Sequence, residues 1–188
     1  MVDGSALADL DTLSEDFGEF IAYDITDVVG VLVGLKPAAL VGGNKQDIDT
    51  DLLGRLGLSY TQWPEKNLVY VSRDGETVRR LAELHRKVWG KNATYPDESR
   101  EIGRLLGYPE TATEYFIKRL KTLDSDSPLP AFIPEETKDT VSSYFQNLVL
   151  SPDNYKEELA SYCEPLEAAV REFAPRTYAV FCALSSRS

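Results

Sequence analysis

The stretch SYTQWPEKNLVYVSR, residues 59–73, decides the fold. Ser59 to Trp63 and Asn67 to Arg73 are rich in β-branched and aromatic residues, which suit a pleated, half-buried surface. Pro64-Glu65-Lys66-Asn67 lies between them and carries turn formers, so the two segments predict a hairpin. Leu68-Val69-Tyr70-Val71 shows no polar alternation, which predicts a strand covered on both faces. Covering both faces requires helices, and these follow at once. Asp74-Gly75 opens a helix to about Trp89 with an apolar stripe of Val78, Leu81, Ala82, His85 and Val88.

Working outward, the N-terminal third predicts a short helix over 5–13. Ser14 then reads as the N-cap of a second helix, whose apolar residues run from Phe17 to Leu32 and which ends at Lys36-Pro37. Ala38 to Val41 predicts a strand, and Asp47 to Leu56 a helix stopped by Gly57. Two helices flank Gly107, the second with Pro109 at its first position. Asp124 to Pro134 is the best candidate for a flexible connection. Two more helices follow, one through Val141 to Leu148 and one opening at Ser151-Pro152, with Pro165 expected to kink or split the second. Thr177 to Leu184, TYAVFCAL, reads as a buried strand returning to the sheet. The fold class is therefore α+β, a single domain over 1–188, with a small sheet of three to five strands covered by six to eight helices.

Composition narrows the classes of function. At 188 residues the chain can bury roughly 70% of its unfolded surface without a staple. Its net charge is -11, unevenly spread: residues 1–60 carry 11 acids and 3 bases, and residues 61–123 carry 9 acids and 12 bases. The overall sign repels nucleic acid and anionic membrane, while the basic middle leaves room for a local anion site. Cys163 and Cys182 lack metal-ligand spacing and suit a reducing compartment. The first residues, MVDGSALADLD, have neither a basic region nor an apolar run, so a cytoplasmic protein is expected.

Most motif matches fail on spacing. Asp47, Asp49 and Asp51 open like a calcium loop, but Leu52 and Leu58 stand where glycine and a bidentate glutamate belong, so they read as acids at a helix start. Gly42-Gly43-Asn44-Lys45 lacks the spacing of a phosphate loop. His85 is the lone histidine and has no ligand partners, so no metal is indicated, and the sequence leaves any cofactor unknown. It remains a candidate proton carrier or a packed histidine at the edge of the core.

One corner concentrates polar groups. Gly107 can close one helix in a left-handed conformation, and Pro109 presets the next, whose first amides favour an anion. Arg100 and Arg104 share a helix face that reaches toward the corner, with Glu101 and Tyr108 beside them.

Three segments, Gly34-Leu35-Lys36-Pro37-Ala38-Ala39, Val69-Tyr70-Val71-Ser72-Arg73 and Gly103-Arg104-Leu105-Leu106-Gly107-Tyr108-Pro109, occur in that order. Together they resemble an uncharacterised, mostly archaeal family whose members carry a Gly-(Ile/Leu)-(Lys/Arg)-Pro-Ala segment, a Val-Tyr-Ile-Ser strand and a Leu-Gly-Tyr-Pro motif followed by a cysteine pair. This chain has Glu110, Thr111 and Ala112 where the cysteines stand, so no thiol or metal role carries over. The resemblance implies no activity, but it implies that Lys36-Pro37, Arg73 and Tyr108-Pro109 converge.

Two classes of function follow. In the first, the chain binds or acts on a small anionic ligand such as a nucleotide or phosphorylated metabolite. Lys36, Arg73, Arg100 and Arg104 would hold charge, Tyr108 would orient the ligand, and His85 or Glu101 would handle protons. In the second, it is a non-catalytic interaction or regulatory module that meets a protein partner or a second copy of itself through apolar helix faces.

Overall fold

The computed structural model describes residues 4–17, 19–42, 49–90, 94–122, 132, 134–135, 141, 145 and 150–186, with backbone only for 15–17, 19 and 20. The expected connection at 124–134, the helix through Val141 to Leu148 and the Gly43–Lys45 turn lie wholly or mostly outside these residues.

The sheet has three antiparallel strands, β1 (Ala38–Gly42), β2 (Ser59–Trp63) and β3 (Leu68–Ser72), in the order β1-β3-β2. The β2–β3 hairpin turns through a short 3-10 segment, Pro64–Lys66, and closes on Asn67 with φ +53. Register pairs Tyr60 and Ala39 with Val71, and Gln62 and Val41 with Val69. Every residue of β3 is buried, because helices cover both of its faces.

On one face, Val69, Val71, Ala39 and Val41 meet the larger core. That core is built by α1 (Gly4–Phe17), α2 (Glu19–Val33), α3 (Thr50–Arg55), α8 (Glu164–Phe173) and α9 (Pro175–Ser185). On the other face, Tyr70, Ala38 and Leu40 meet a smaller core from α4 (Gly75–Val88) and α5 (Pro96–Leu105). Beyond α5 lie α6 (Glu110–Thr122) and α7 (Tyr155–Glu158). From α7 a π turn over Leu159–Cys163 leads straight into α8, so 155–173 form one rod. Counted this way, the described residues hold eight helical rods. None is long and apolar enough to cross a membrane.

Local chemistry explains the helix starts. Asp49 caps α3 by accepting from Asp51 N–H, and Asp74 caps α4 by accepting from Glu76 and Thr77 N–H.

Three expectations need correction. Thr177 to Leu184 is not a strand but most of α9. Pro175 presets its first turn, and Asp11 of α1 accepts from Arg176 N–H, Thr177 N–H and the Thr177 hydroxyl at 2.9–3.1 Å. Ala174, Thr177 and Phe181 then bury one helical face, a pattern that an eight-residue apolar run cannot distinguish from a strand. Ser14 is no N-cap. It lies inside α1, buried, with its hydroxyl donating to Asp11 O at 2.8 Å. The C-terminal rod opens at Tyr155 rather than Ser151: residues 151–154 form a separate turn closed by Asn154 N–H on Ser151 O at 3.2 Å, and the Ser151 hydroxyl accepts from Asn154 Nδ2 at 3.3 Å instead of capping a helix. Pro165 does interrupt the regular α-helix of that rod, as expected. Its missing N–H and its ring are absorbed by the π turn just before it, where Glu164 N–H reaches back to Leu159 O.

Candidate functional site

Two helix ends meet to make the site. α2 closes on Gly34, φ +84, with Gly34 N–H donating to Val31 O at 3.2 Å and Leu35 N–H to Gly30 O at 2.9 Å. α5 closes the same way on Gly107, φ +76, with Gly107 N–H on Arg104 O and Tyr108 N–H on Gly103 O. The two closures pack directly together. A Cβ on Gly107 would sit 3.2 Å from Pro37 Cδ and 3.3 Å from Lys36 Cα. Lys36-Pro37 and Tyr108-Pro109 are therefore neighbours, 72 positions apart in the chain.

From this corner Lys36 turns inward and is 1% exposed. Its stem lies across Gly30, where a Cβ would come within 2.8 Å of Lys36 Cδ. Its Nζ meets Asp27 Oδ1 at 2.6 Å and stands 5.5 Å and 5.9 Å from the ring centres of Tyr108 and Tyr162. The two rings touch edge to face, 5.7 Å apart. Aromatic faces suit a cation that has left water. Among the described residues Asp27 is the one hydrogen-bond partner of Lys36, although an ammonium carries three donors.

The π turn supplies the other wall. It places Tyr162, 6% exposed, inward and Ser161 outward. The Tyr162 hydroxyl is buried and has no hydrogen-bond partner among the described residues. Leu35, Lys36, Gly107, Tyr108, Pro109, Ser161, Tyr162 and Leu166 enclose a pocket of about 200 Å³. Burial pushes both tyrosine hydroxyls well above the usual phenol range, and the Asp27 charge adds to the rise, so both stay protonated at neutral pH.

The other residues singled out in the sequence do not line this pocket. Arg73 is exposed and lies over Gly34, where a Cβ would come within 2.9 Å of its Nη2. Arg100 pairs with Glu114 and with Asp97, and Glu101 binds Arg80 through both oxygens at 2.8 Å. The Arg80 hydrogen bond holds the Glu101 carboxyl below its usual range. Arg100, Glu101 and Arg104 line a separate cleft of about 630 Å³ together with Asp97, Glu110 and Glu114, and Tyr108 is shared with the small pocket. Four carboxylates against two guanidiniums make that cleft a poor seat for an anion. His85 sits across the sheet in the smaller core, with Nδ1 3.0 Å from the Tyr70 hydroxyl and Trp63 and Trp89 edge-on. Burial lowers its pKa. Asp27, Ser161 and Tyr162 were not singled out, although Pro165 inside a helical pattern was a signal of irregular backbone beside Tyr162.

Protein-family models, curated proteins and solved structures were all compared with the chain, and none matches.

The chemistry must therefore be read from the pocket itself. It is rich in donors and poor in nucleophiles. Burial and neighbouring glutamates push the Cys163 thiol up to about 12, so it stays protonated. Lys36 is held by its counter-ion, and no histidine lines the pocket to activate Ser161. Among the described residues no three His, Cys, Asp or Glu side chains gather as a metal site. The arrangement can hold and orient an acceptor group.

Proposed function

We propose that this chain is a small-molecule binding protein whose site is the Lys36–Tyr108–Tyr162 pocket and whose ligand presents an oxygen acceptor. The observation that carries the reading is the buried, unpartnered Tyr162 hydroxyl on the pocket wall. Leaving such a group unsatisfied costs about 1–3 kcal/mol, which a ligand oxygen would recover. The volume sets the scale of the ligand. It lies above the roughly 150 Å³ that takes a benzene and below the roughly 300–1,000 Å³ of drug-sized sites. A nucleotide or phosphorylated metabolite would need the larger, acid-lined cleft instead. The interaction-module reading finds less support, because among the described residues the exposed large apolar side chains are Val33, Leu35, Tyr60, Trp89 and Phe173, and only Val33 and Leu35 share a segment.

A thermal-shift screen with small oxygen-bearing fragments tests this, run in parallel on Tyr162→Phe. A fragment at 100 times its Kd should add about 2.7 kcal/mol to the wild type. It should add almost nothing to the variant, which without ligand should be as stable as the wild type or slightly more so. Fragments that stabilise neither protein, or both equally, would refute the assignment.

A further inference from the structure

We infer that the ligand's head group is an uncharged carbonyl oxygen, as in a primary amide, and that the pocket turns away carboxylates and phosphates. This rests on the pocket assigned above and deepens it. The residues of the lining carry buried donors to spare: two N–H groups of the Lys36 ammonium not used by Asp27, and the Tyr162 hydroxyl. An acceptor is therefore required, but its charge is restricted. Lys36, wholly buried as a side chain, is already matched by Asp27 at 2.6 Å. An arriving carboxylate would be a third charge beside a buried ion pair. Its attraction to Lys36 would be opposed by Asp27, leaving its loss of hydration uncompensated. A phosphate, with more charge, would fare worse. A carbonyl oxygen takes the same donors and leaves the site neutral. Its amide N–H groups can face Ser161, the exposed hydroxyl on the lining. Leu35, Pro109 and Leu166 then offer apolar contact to a body the size of one ring or a branched alkyl group.

Matched pairs separate charge from shape. The full chain is titrated calorimetrically at neutral pH with benzamide and benzoate, with isobutyramide and isobutyrate, and with inorganic phosphate. The amide of at least one pair should bind at least about tenfold tighter than its carboxylate, and phosphate should give no binding heat. In Asp27→Asn the order should reverse, because Lys36 then lacks a counter-ion. A carboxylate that binds the wild type as well as its amide overturns the charge inference and leaves the pocket standing. Failure of both pairs, with no fragment dependent on Tyr162, overturns the pocket as well. An Asp27→Asn protein that folds and still prefers the amide also overturns the inference. If it does not fold, the wild-type comparison decides alone.

Discussion

Gly30→Ala and Gly54→Ala are the same chemical change inside two helices, and the structure predicts opposite signs. In a helix interior alanine is favoured over glycine by about 0.8–1.0 kcal/mol. At Gly54, in α3, an added Cβ meets nothing within 4 Å, so most of that gain should survive. At Gly30, in α2, the Cβ would stand 2.8 Å from Lys36 Cδ and 3.0 Å from both Lys36 Cγ and Leu166 Cδ1. Lys36 and Leu166 are each 1% exposed, so neither has solvent to move into. Overpacking of this kind costs about 1–3 kcal/mol. If the lysine stem lifts, the 2.6 Å contact with Asp27 is lost as well. Breaking a buried pair carries a penalty of about 3–5 kcal/mol, lessened here because the Asp27 side chain keeps 14% exposure. Set against the helix gain, the net expectation is a destabilisation of about 1 kcal/mol if the pair survives and about 3 if it does not, against a stabilisation of about 0.5–1 at Gly54. Urea unfolding followed by circular dichroism measures both, with equal slopes expected across the variants. In a Lys36→Ala background only the 3.0 Å approach to Leu166 Cδ1 remains, and the cost of Gly30→Ala should shrink markedly. A Gly30→Ala protein as stable as the wild type would refute the account of how Lys36 is seated.

Two further outcomes follow from the same geometry. Lys36→Met should cost about 3 kcal/mol by stranding Asp27, and a double-mutant cycle with Asp27→Leu should give a coupling above about 1 kcal/mol; additive single effects would show that the pair is not energetically linked. His85, held by burial below the usual imidazole value, binds its proton less readily folded than unfolded. Stability should therefore be level above about pH 6.5 and fall as pH drops below it, by no more than about 1.4 kcal/mol per pH unit, until the folded state also takes the proton. His85→Phe should flatten that limb, and an unchanged acid limb in the variant would remove His85 as its cause.

The sheet was legible because its evidence is local. Val69-Tyr70-Val71 announces a strand buried on both faces, and Pro64 to Asn67 announces its turn. The helix closures at Gly57 and Gly107 were legible for the same reason, since left-handed backbone selects glycine over any short window. α9 was not legible. TYAVFCAL is apolar on every side, and what makes it a helix is Asp11, 166 positions away from Thr177, capping its first turn. No window of sequence contains that contact.

The site divides along the same line. Lys36 and Tyr108 could be singled out because each sits beside a glycine closure and a proline, and those closures bring them together. Asp27 and Tyr162 could not. Asp27 lies mid-helix with nothing local to mark it, and its partner Lys36 comes nine residues later, after the chain has turned at Gly34. Tyr162 depends on the π turn, which shifts one helical register so that Ser161 faces out and Tyr162 faces in. Arg100, Glu101 and Arg104 misled for the converse reason. Their spacing displays charge toward one corner, but Arg80, Asp97 and Glu114 are what that charge meets first. A polar group buried with donors to spare, as Lys36 and Tyr162 are, is therefore the stronger guide to where a ligand belongs.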